Sequence, residues 1–546
     1  MKCAPPSNRP LCGDRRTIRA VYGLCALVLL GTLAGCSREH YKENADKETY
    51  GILEQKWQDD FGPMVNYRVS ETAPNDVEMA ATVPSSGVLS LADAVWIATE
   101  YSREYQSQKE SLYLSALDLT STRHQYEMQW FGTVDAFYDS SEAGDDFTVG
   151  ASGGVNQDHL IGDGILVGTG LAIDWARFLT GDPETSLGSV LTATITAPLI
   201  GAGAGKTARE NLTQAERNVL YRIRSFNRYR KTFVTSIIGD YYNVVLQRAR
   251  VEIAEASYKR LVDSTNQLRM EVEVGKRPAY DLGEAEQRLL ASENSVVTTR
   301  QRYIQTLDNF KIRLAIPTQV QVELDPNELT ALRNLGVGEP EYTEGDATTI
   351  ALERRLDLAN TRDEVDDAER RLILAAEGLG PQMNLVASAN VESTPETEFL
   401  RMRFNDGRYR LGLEADLGLD QKDERNAYRR ALITTQQSHR DHDEETERVK
   451  VDVRQAYRDL LETAETYRIQ QLGLDLAEKR VEVEKLSLQY GRSTVRLLLE
   501  AEDALVQTQN DVLSALVDHT LAKMRFFRDI GVMQVRPDGM WEQAKL

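Results

Sequence analysis

A long internal repeat governs what this chain can fold into. Identical residues recur at one fixed offset without a gap, so that Tyr241 corresponds to Tyr457, Gly275 to Gly491 and Phe310 to Phe526. A repeat of this length sets the architecture, because each copy must form the same unit. The sequence predicts two long helical hairpins, each with a glycine at its tip and each joined to a short β-rich piece.

The helices of these hairpins are predicted to be unusually long. Proline is absent between Leu199 and Arg277 and between Glu396 and Arg536. A helix of about 65 residues is about 100 Å long and must pack along another helix. Small and apolar residues spaced alternately by four and three supply that seam in both copies: Ala285, Leu289, Ser292, Val296, Thr299, Tyr303, Thr306 and Phe310 in the first, and Ala501, Leu505, Thr508, Val512, Ala515, His519, Ala522 and Phe526 in the second.

Two shorter helices and several strands are predicted before the hairpins. The helices run from Ser90 to about Gln129 and from Ala347 to about Glu377. Alternating patterns predict strands in the second copy at 385–392 and 409–419, and the first copy has three candidates at 147–155, 165–175 and 190–200, so its strand number stays open. Strands of about 10 residues with one apolar and one polar face are typical of a membrane barrel. A half-buried sheet in a soluble protein is the alternative.

The N-terminus has the pattern of a bacterial lipoprotein signal. Three arginines precede an apolar run, Val21–Leu33, which is followed by Leu33-Ala34-Gly35-Cys36. That ending resembles a lipobox, which implies cleavage before Cys36 and acylation of its thiol, with palmitate among the chains, and of its new amino group. A plain secretory peptide is the alternative. Ser37 at the following position favours the outer membrane by resemblance to known sorting rules.

Composition and motifs argue against several function classes. The formal charge of −21 excludes nucleic-acid binding by electrostatics. His439 and His442 lie in a charged helical stretch, where an exposed polar face is a better interpretation than a metal site. The glycine-rich segment 201–207 lacks the spacing of a phosphate-binding loop. We therefore expect no enzyme activity, no metal and no cofactor.

With these features in place, the chain resembles the TolC-type outer-membrane efflux protein family. The resemblance rests on the two hairpin tips, the Ala197-Pro198-Leu199 strand end and the segment Leu89–Ala94, and it covers roughly residues 87–532. It implies a mostly α protein with transmembrane β structure. In that fold the duplicated hairpins form a trimeric α-barrel continuous with a 12-stranded outer-membrane β-barrel, with four strands from each chain.

The predicted organisation follows from the repeat and the signal. A lipoprotein signal peptide (1–35) precedes a lipid-anchored extension (36–86) and the first efflux repeat (87–316). A linker (317–345) connects it to the second repeat (346–532), and a C-terminal tail (533–546) follows. The extension is expected to run along the outside of the tube.

The resemblance also implies a function and partners. The chain would be the outer-membrane channel of a tripartite efflux or type I secretion system, a passive duct gated at its periplasmic tip. Its partners would be two further copies, a periplasmic adaptor protein, an inner-membrane RND or ABC pump, and outer-membrane lipid. A lipid-anchored periplasmic coiled-coil scaffold without a pore is the alternative. The exported substrate stays open between drugs, metal ions and polypeptides.

Family positions place the gate near the hairpin glycines. The residues assigned to it are Asp281, Glu284, Tyr490, Arg492, Arg496 and Glu500. We expect Asp281 to pair with Arg492 or Arg496 in the closed state, with Tyr490 packed nearby, and three copies of Glu500 to favour cations. Exposed charges with little energetic weight are the alternative. The expected adaptor contacts lie at the tips, at Gly275, Lys276, Gly491 and Arg492.

Overall fold

The computed structural model describes residues 37–58, 61–70, 87–140, 147–162, 164–178, 185–201, 204–338, 340, 342–394, 398–536 and 540–543. Cys36 and the signal peptide lie outside the described residues. The chain divides into two compact units, residues 1–55 and residues 56–546. Helix α1 (Arg38–Lys56) accounts for most of the described part of the first unit. No described helix has the apolar run that crossing a bilayer takes.

The first repeat begins with short elements and ends in the first long hairpin. Its elements are β1 (Val88–Leu89), α2 (Leu91–Tyr101), α3 (Arg103–His124), β2 (Gln129–Ser140), β3 (Phe147–Ile161), β4 (Ile165–Phe178), β5 (Thr185–Ile200), α4 (Ala204–Glu273) and α5 (Ala279–Arg313). At 1.5 Å per residue, the 70-residue α4 is about 105 Å long. The length predicted for this helix is confirmed.

The second repeat follows the same order, with two long strands where the first has four. Its elements are β6 (Glu323–Leu324), α6 (Glu328–Leu335), α7 (Glu344–Arg354), α8 (Leu356–Glu377), β7 (Gln382–Thr394), β8 (Glu398–Met402), a 3₁₀ turn (Phe404–Asp406), β9 (Arg408–Asp416), α9 (Lys422–Gln489), α10 (Val495–Asp529), β10 (Met533–Val535) and β11 (Trp541–Gln543). Strand β6 pairs with β1, and β10 pairs with β11.

The returning helices and the tips of the two hairpins match each other residue for residue. Helices α5 and α10 are both 35 residues long, and their first and last residues are related by the same offset that relates Gly275 to Gly491. The two tips close in the same way. The amide of Lys276 donates to Glu271 O and that of Arg492 to Ser487 O, both at 2.8 Å. Gly275 and Gly491 have φ angles of 77° and 69°, a conformation that glycine adopts without strain at the end of a helix.

Each predicted short helix is in fact two helices. An 11-residue helix and a 22-residue helix meet at Ser102 in the first copy and at Arg355 in the second. Both junction residues have extended backbone, so the chain changes direction there. The single helices expected over 90–129 and 347–377 are therefore wrong in continuity, and the first also ends earlier, at His124.

The predicted seam is confirmed most clearly in the second hairpin. Seven of its eight positions in α10 are buried, from Ala501 and Leu505 through His519 to Phe526. Near the other end of the hairpins, Tyr241 stacks edge-on to Phe310 with ring centroids 6.1 Å apart. The equivalent pair, Tyr457 and Phe526, is 6.0 Å apart. The repeat therefore extends to the aromatic packing inside each hairpin.

The long strands of both repeats form one antiparallel sheet. Its order is β2-β3-β4-β5-β7, with β9 beside β7 and β8 against the far end of β7. The three strands expected in the first repeat are confirmed, and β2 is a fourth that the alternating pattern did not predict. Within the described residues, the sheet has six long strands, whereas the resemblance implies four per chain.

Candidate functional site

The sheet has one apolar and one polar face from β3 to β9, and β2 follows this division only in part. One row of paired residues reads Gly132, Val155, Leu171, Leu191 and Val391 from β2 to β7. The adjacent row, which points to the other side, reads Phe131, Asn156, Gly170, Thr192, Asn390 and Arg408. Because successive residues of a strand face opposite sides, these rows define an apolar and a polar surface.

Glycines in β4 let polar side chains of neighbouring strands meet on the polar face. A Cβ built at Gly170 would lie 2.4 Å from Asn156 Oδ1 and 2.8 Å from Thr192 Oγ1. At Gly168 a Cβ would lie 2.8 Å from Thr194 Oγ1. The same face carries charged side chains from several strands: Asp135, Asp158, Asp174, Arg410, Glu414 and Asp416. This surface suits water, and the opposite surface suits hydrocarbon.

At the other end of the long helices, the hairpin tips carry the predicted gate and adaptor residues. Gly275, Lys276, Gly491 and Arg492 are all exposed, as a docking surface requires. Tyr490 is also exposed, so it does not pack within its own chain. A packing partner for Tyr490 would have to come from outside the described residues.

The expected pairing of Asp281 is not made inside one chain. Asp281 is buried in the first turn of α5. Arg496 lies 3.8 Å from Glu500 on its own helix, and both side chains are exposed. Among the described residues, no ion pair joins Asp281 to Arg492 or Arg496. Such a pair can form only with another copy or after a rearrangement, so the predicted closed-state contact stays a prediction.

Three arginines of the first hairpin instead hold the second hairpin. Arg277 donates to the carbonyl oxygen of Leu488 at 2.6 Å. Arg260 lies 3.0 Å from the Glu502 carboxylate. A third pair joins Arg288 to Asp503. Sequence reasoning missed these contacts.

A signal for these arginines was present in the sequence. At the equivalent positions, the second copy has Ser493, Leu476 and Ala504 where the first has Arg277, Arg260 and Arg288. The two hairpins therefore differ in charge where they touch. An apolar cluster of Leu261, Leu268, Ala285, Val495 and Leu499 also joins the two hairpins. The two hairpins therefore touch near the tip through both apolar packing and charged pairs, and the exposed pairs contribute little stabilisation by themselves.

Two buried titratable groups lie further along the helices. His519 is buried in α10, with its Nδ1 3.4 Å from Thr463 Oγ1. Burial lowers its pKa, and the nearby Lys523 lowers it further. Lys231, buried in α4, has a pKa lowered to about 8, first by burial and then by repulsion from Arg230 and Arg228.

The histidines considered as metal ligands are held by other partners. His439 Nε2 lies 3.3 Å from Glu369, and His442 Nδ1 lies 3.1 Å from Thr361 Oγ1. In the described part of the chain, no three histidine, cysteine, aspartate or glutamate side chains converge on a common point.

Duplicated long hairpins joined to one antiparallel sheet define the fold of this chain, and comparisons with known proteins find the same fold elsewhere. Residues 348–525, most of the second repeat, match the outer membrane efflux protein family. The resemblance to the TolC-type family is thereby confirmed. No curated protein matches the chain in sequence.

Solved structures of channels share this fold at low sequence identity. VceC from Vibrio cholerae is 11% identical with a TM-score of 0.59, covering 84% of this chain and 99% of that one. The Campylobacter jejuni CmeC outer membrane channel is 11% identical with a TM-score of 0.57, covering 87% and 91%. The Neisseria gonorrhoeae MtrE outer membrane channel, in its open state, is 12% identical with a TM-score of 0.58, covering 81% and 88%.

Proposed function

We propose that this chain is the outer-membrane channel subunit of a tripartite efflux or type I secretion system. Three copies would form a passive duct, with an α-barrel in the periplasm continuous with a β-barrel in the outer membrane. The observation that carries the proposal is the sheet. It is apolar on one face and polar on the other from β3 to β9, and it is connected at one end to helices about 100 Å long.

The surface of α5 supports assembly with further copies. Leu290, Val297 and Ile304 recur at heptad spacing, and 66%, 55% and 44% of their surfaces are exposed. On α9, Ile469, Leu476 and Val483 recur at the same spacing, with 54%, 67% and 58% exposed. Two straight apolar stripes on long helices are the pattern of seams that another helix covers.

The repeat indicates which helix covers which. Within one chain, α4 packs against α10, for example through the hydrogen bond from Arg250 to Ser514 Oγ at 2.9 Å. Val297 on α5 is equivalent to Leu513 on α10, which is buried. If the repeats alternate around a ring, α5 of one copy must meet α9 of the next, which brings the two exposed stripes together.

We also propose finer features for the duct. We place the closed gate at the tips, where Asp281, Glu284 and Glu500 of three copies surround the axis with Arg492, Arg496 and Tyr490. Clustered carboxylates there would favour cations over anions. Gly275, Lys276, Gly491 and Arg492 would contact the adaptor, and an inner-membrane RND or ABC pump would supply energy. Acylated Cys36 would anchor the chain in the outer membrane.

Conductance in a planar bilayer tests the function. Purified protein should give small, cation-selective steps, because the tips close the duct. The double variant Asp281→Ala with Arg496→Ala should give larger steps. Failure of both proteins to conduct, together with a monomeric mass in detergent, would overturn the channel proposal and leave a periplasmic scaffold.

A further inference from the structure

We propose that β2 of one copy pairs with β9 of the next, so that three copies close an eighteen-stranded barrel instead of a twelve-stranded one. The inference rests on the proposed function, because it takes a ring of three copies as given. It concerns the width of the membrane pore, for which the family resemblance implies a twelve-stranded wall. The observation behind it is that, within the described residues, the first repeat supplies four long strands to the sheet and the second supplies two.

Strand direction allows this closure. The sheet is antiparallel throughout, in the order β2-β3-β4-β5-β7-β9. With six strands, β2 and β9 run in opposite directions. The β9 edge of one copy can therefore pair with the β2 edge of the next in the same antiparallel sense, and the ring closes without a mismatched seam.

Both edges need a partner in a membrane. Along its described length, β2 pairs only with β3, and β9 pairs only with β7. Open edges are not stable in hydrocarbon, because their backbone groups have no water to bind. One chain cannot close on itself, since about eight strands make the smallest usual barrel. A second copy is the occupant that matches both edges.

A twelve-stranded barrel would require two strands of this sheet to leave the wall. The two strands in excess are β2 and β3, and β3 pairs with β4 without interruption from Thr148–Phe178 to Ile161–Ile165. Removing them from the wall would break that ladder. Strand β3 has Val155 on the apolar side and Asn156 on the polar side, and β2 places Val134 and Asp135 on the same two sides, although it also has Phe131 on the polar side. The additional hairpin therefore belongs to the wall.

The expected consequence is a wider pore. With strands about 4.8 Å apart and tilted by about 40°, a twelve-stranded barrel is about 24 Å across between backbones, and an eighteen-stranded barrel about 36 Å. Such a duct would admit larger solutes at its outer end than a twelve-stranded one.

Cysteine cross-linking tests the seam. All four cysteines lie within residues 1–36, so introduced cysteines are unique in the sheet. Chains carrying Val134→Cys in β2 together with Tyr409→Cys, Leu411→Cys or Leu413→Cys in β9 would be oxidised in outer membranes. These residues share the apolar face but lie at opposite edges, about 24 Å apart in one chain, so only different copies can form the disulfide.

The expected result is a covalent trimer for at least one β2–β9 pair. The competing variants place Leu171→Cys in β4 with the same β9 positions, because β4 would be the edge of a twelve-stranded wall. Trimers from the β4 set and none from the β2 set would overturn the proposal.

A helical pair separates this outcome from failure of the channel itself. Thr298→Cys on α5 and Thr466→Cys on α9 occupy the positions equivalent to Ser514 and Arg250, which touch within one chain. A short bismaleimide should link this pair into trimers whichever barrel forms. If the helical pair links and no β2–β9 pair does, the eighteen-stranded barrel is wrong and the trimer stands. If the helical pair also fails, the trimer itself is wrong, and the barrel inference falls with it.

Discussion

Replacing the apolar stripe of α5 should separate the copies without unfolding the chain. In the triple variant Leu290→Ser, Val297→Ser and Ile304→Ser, the changed side chains are mostly exposed in one chain. Fully burying an aliphatic side chain contributes about 1.5–3 kcal/mol. Scaled by the exposed fractions, the three changes remove about 3 kcal/mol from each interface and about 10 kcal/mol from a ring of three. The association constant should fall by about seven orders of magnitude.

Size-exclusion chromatography with light scattering, on protein purified in detergent, measures the loss of association directly. Wild-type protein should elute as a trimer throughout a dilution series, and the triple variant as a monomer at micromolar concentration. Far-UV circular dichroism should show equal helix content in both. The control changes Leu114 and Ile373 to serine, two exposed apolar residues of α3 and α8 outside the stripes, and should stay trimeric. A triple variant as trimeric as the wild type would refute the assignment of α5 to the interface.

Three further changes test the energetics of the helices. In thermal melts, Gly275→Ala should destabilise the protein by about 1–2 kcal/mol, because the φ of 77° is left-handed. The control is Gly473→Ala, which lies inside α9 with only an ordinary contact at 3.6 Å and should be neutral or stabilising in the same melts. Lys231→Met should stabilise the protein at pH 7 and lose this advantage towards pH 10. The folded pKa of about 8 lies below the unfolded value of 10.5, so between these values the unfolded chain holds the extra proton and the stability of the wild type rises with pH. Denaturant titrations at both pH values that show a constant difference in stability between variant and wild type would contradict this. The wild type should lose stability on acidification below the ordinary histidine pKa of 6.5, because the buried imidazole of His519 resists protonation in the folded state. His519→Gln should remove that loss. Unfolding midpoints that fall equally in both proteins between pH 7.5 and pH 5 would rule out this role of His519.

The long hairpins were predictable because their signals are local. A helix as long as α4 needs a continuous period, the absence of proline and a glycine where it ends. All three are present around Gly275 and again in the second copy around Gly491. The two tips form the same capping bonds. Repetition of a local pattern therefore fixed the fold class, the number of hairpins and the position of the tips.

The features that the sequence did not reveal depend on distant partners. No glycine or proline marks the break between α7 and α8 at Arg355. The buried side chain of Arg355 lies 2.7 Å from Asp357 and 2.9 Å from Asp452 on α9, and these partners are not visible in the local sequence pattern. Strand β2 carries apolar residues on both faces, so its pattern did not alternate, and its pairing with β3 alone defines it.

The candidate site divides in the same way. The order of residues along the chain was enough to show which of them lie at the tips and which strands have a polar face, because both follow from position in a repeat and from alternation. Three-dimensional packing was needed to show that Arg277 and Arg260 hold the second hairpin, that Asp281 is unpaired with Arg496, and that six long strands form one sheet. Those outcomes depend on contacts between distant segments of the chain, and local periodicity carries no information about such contacts.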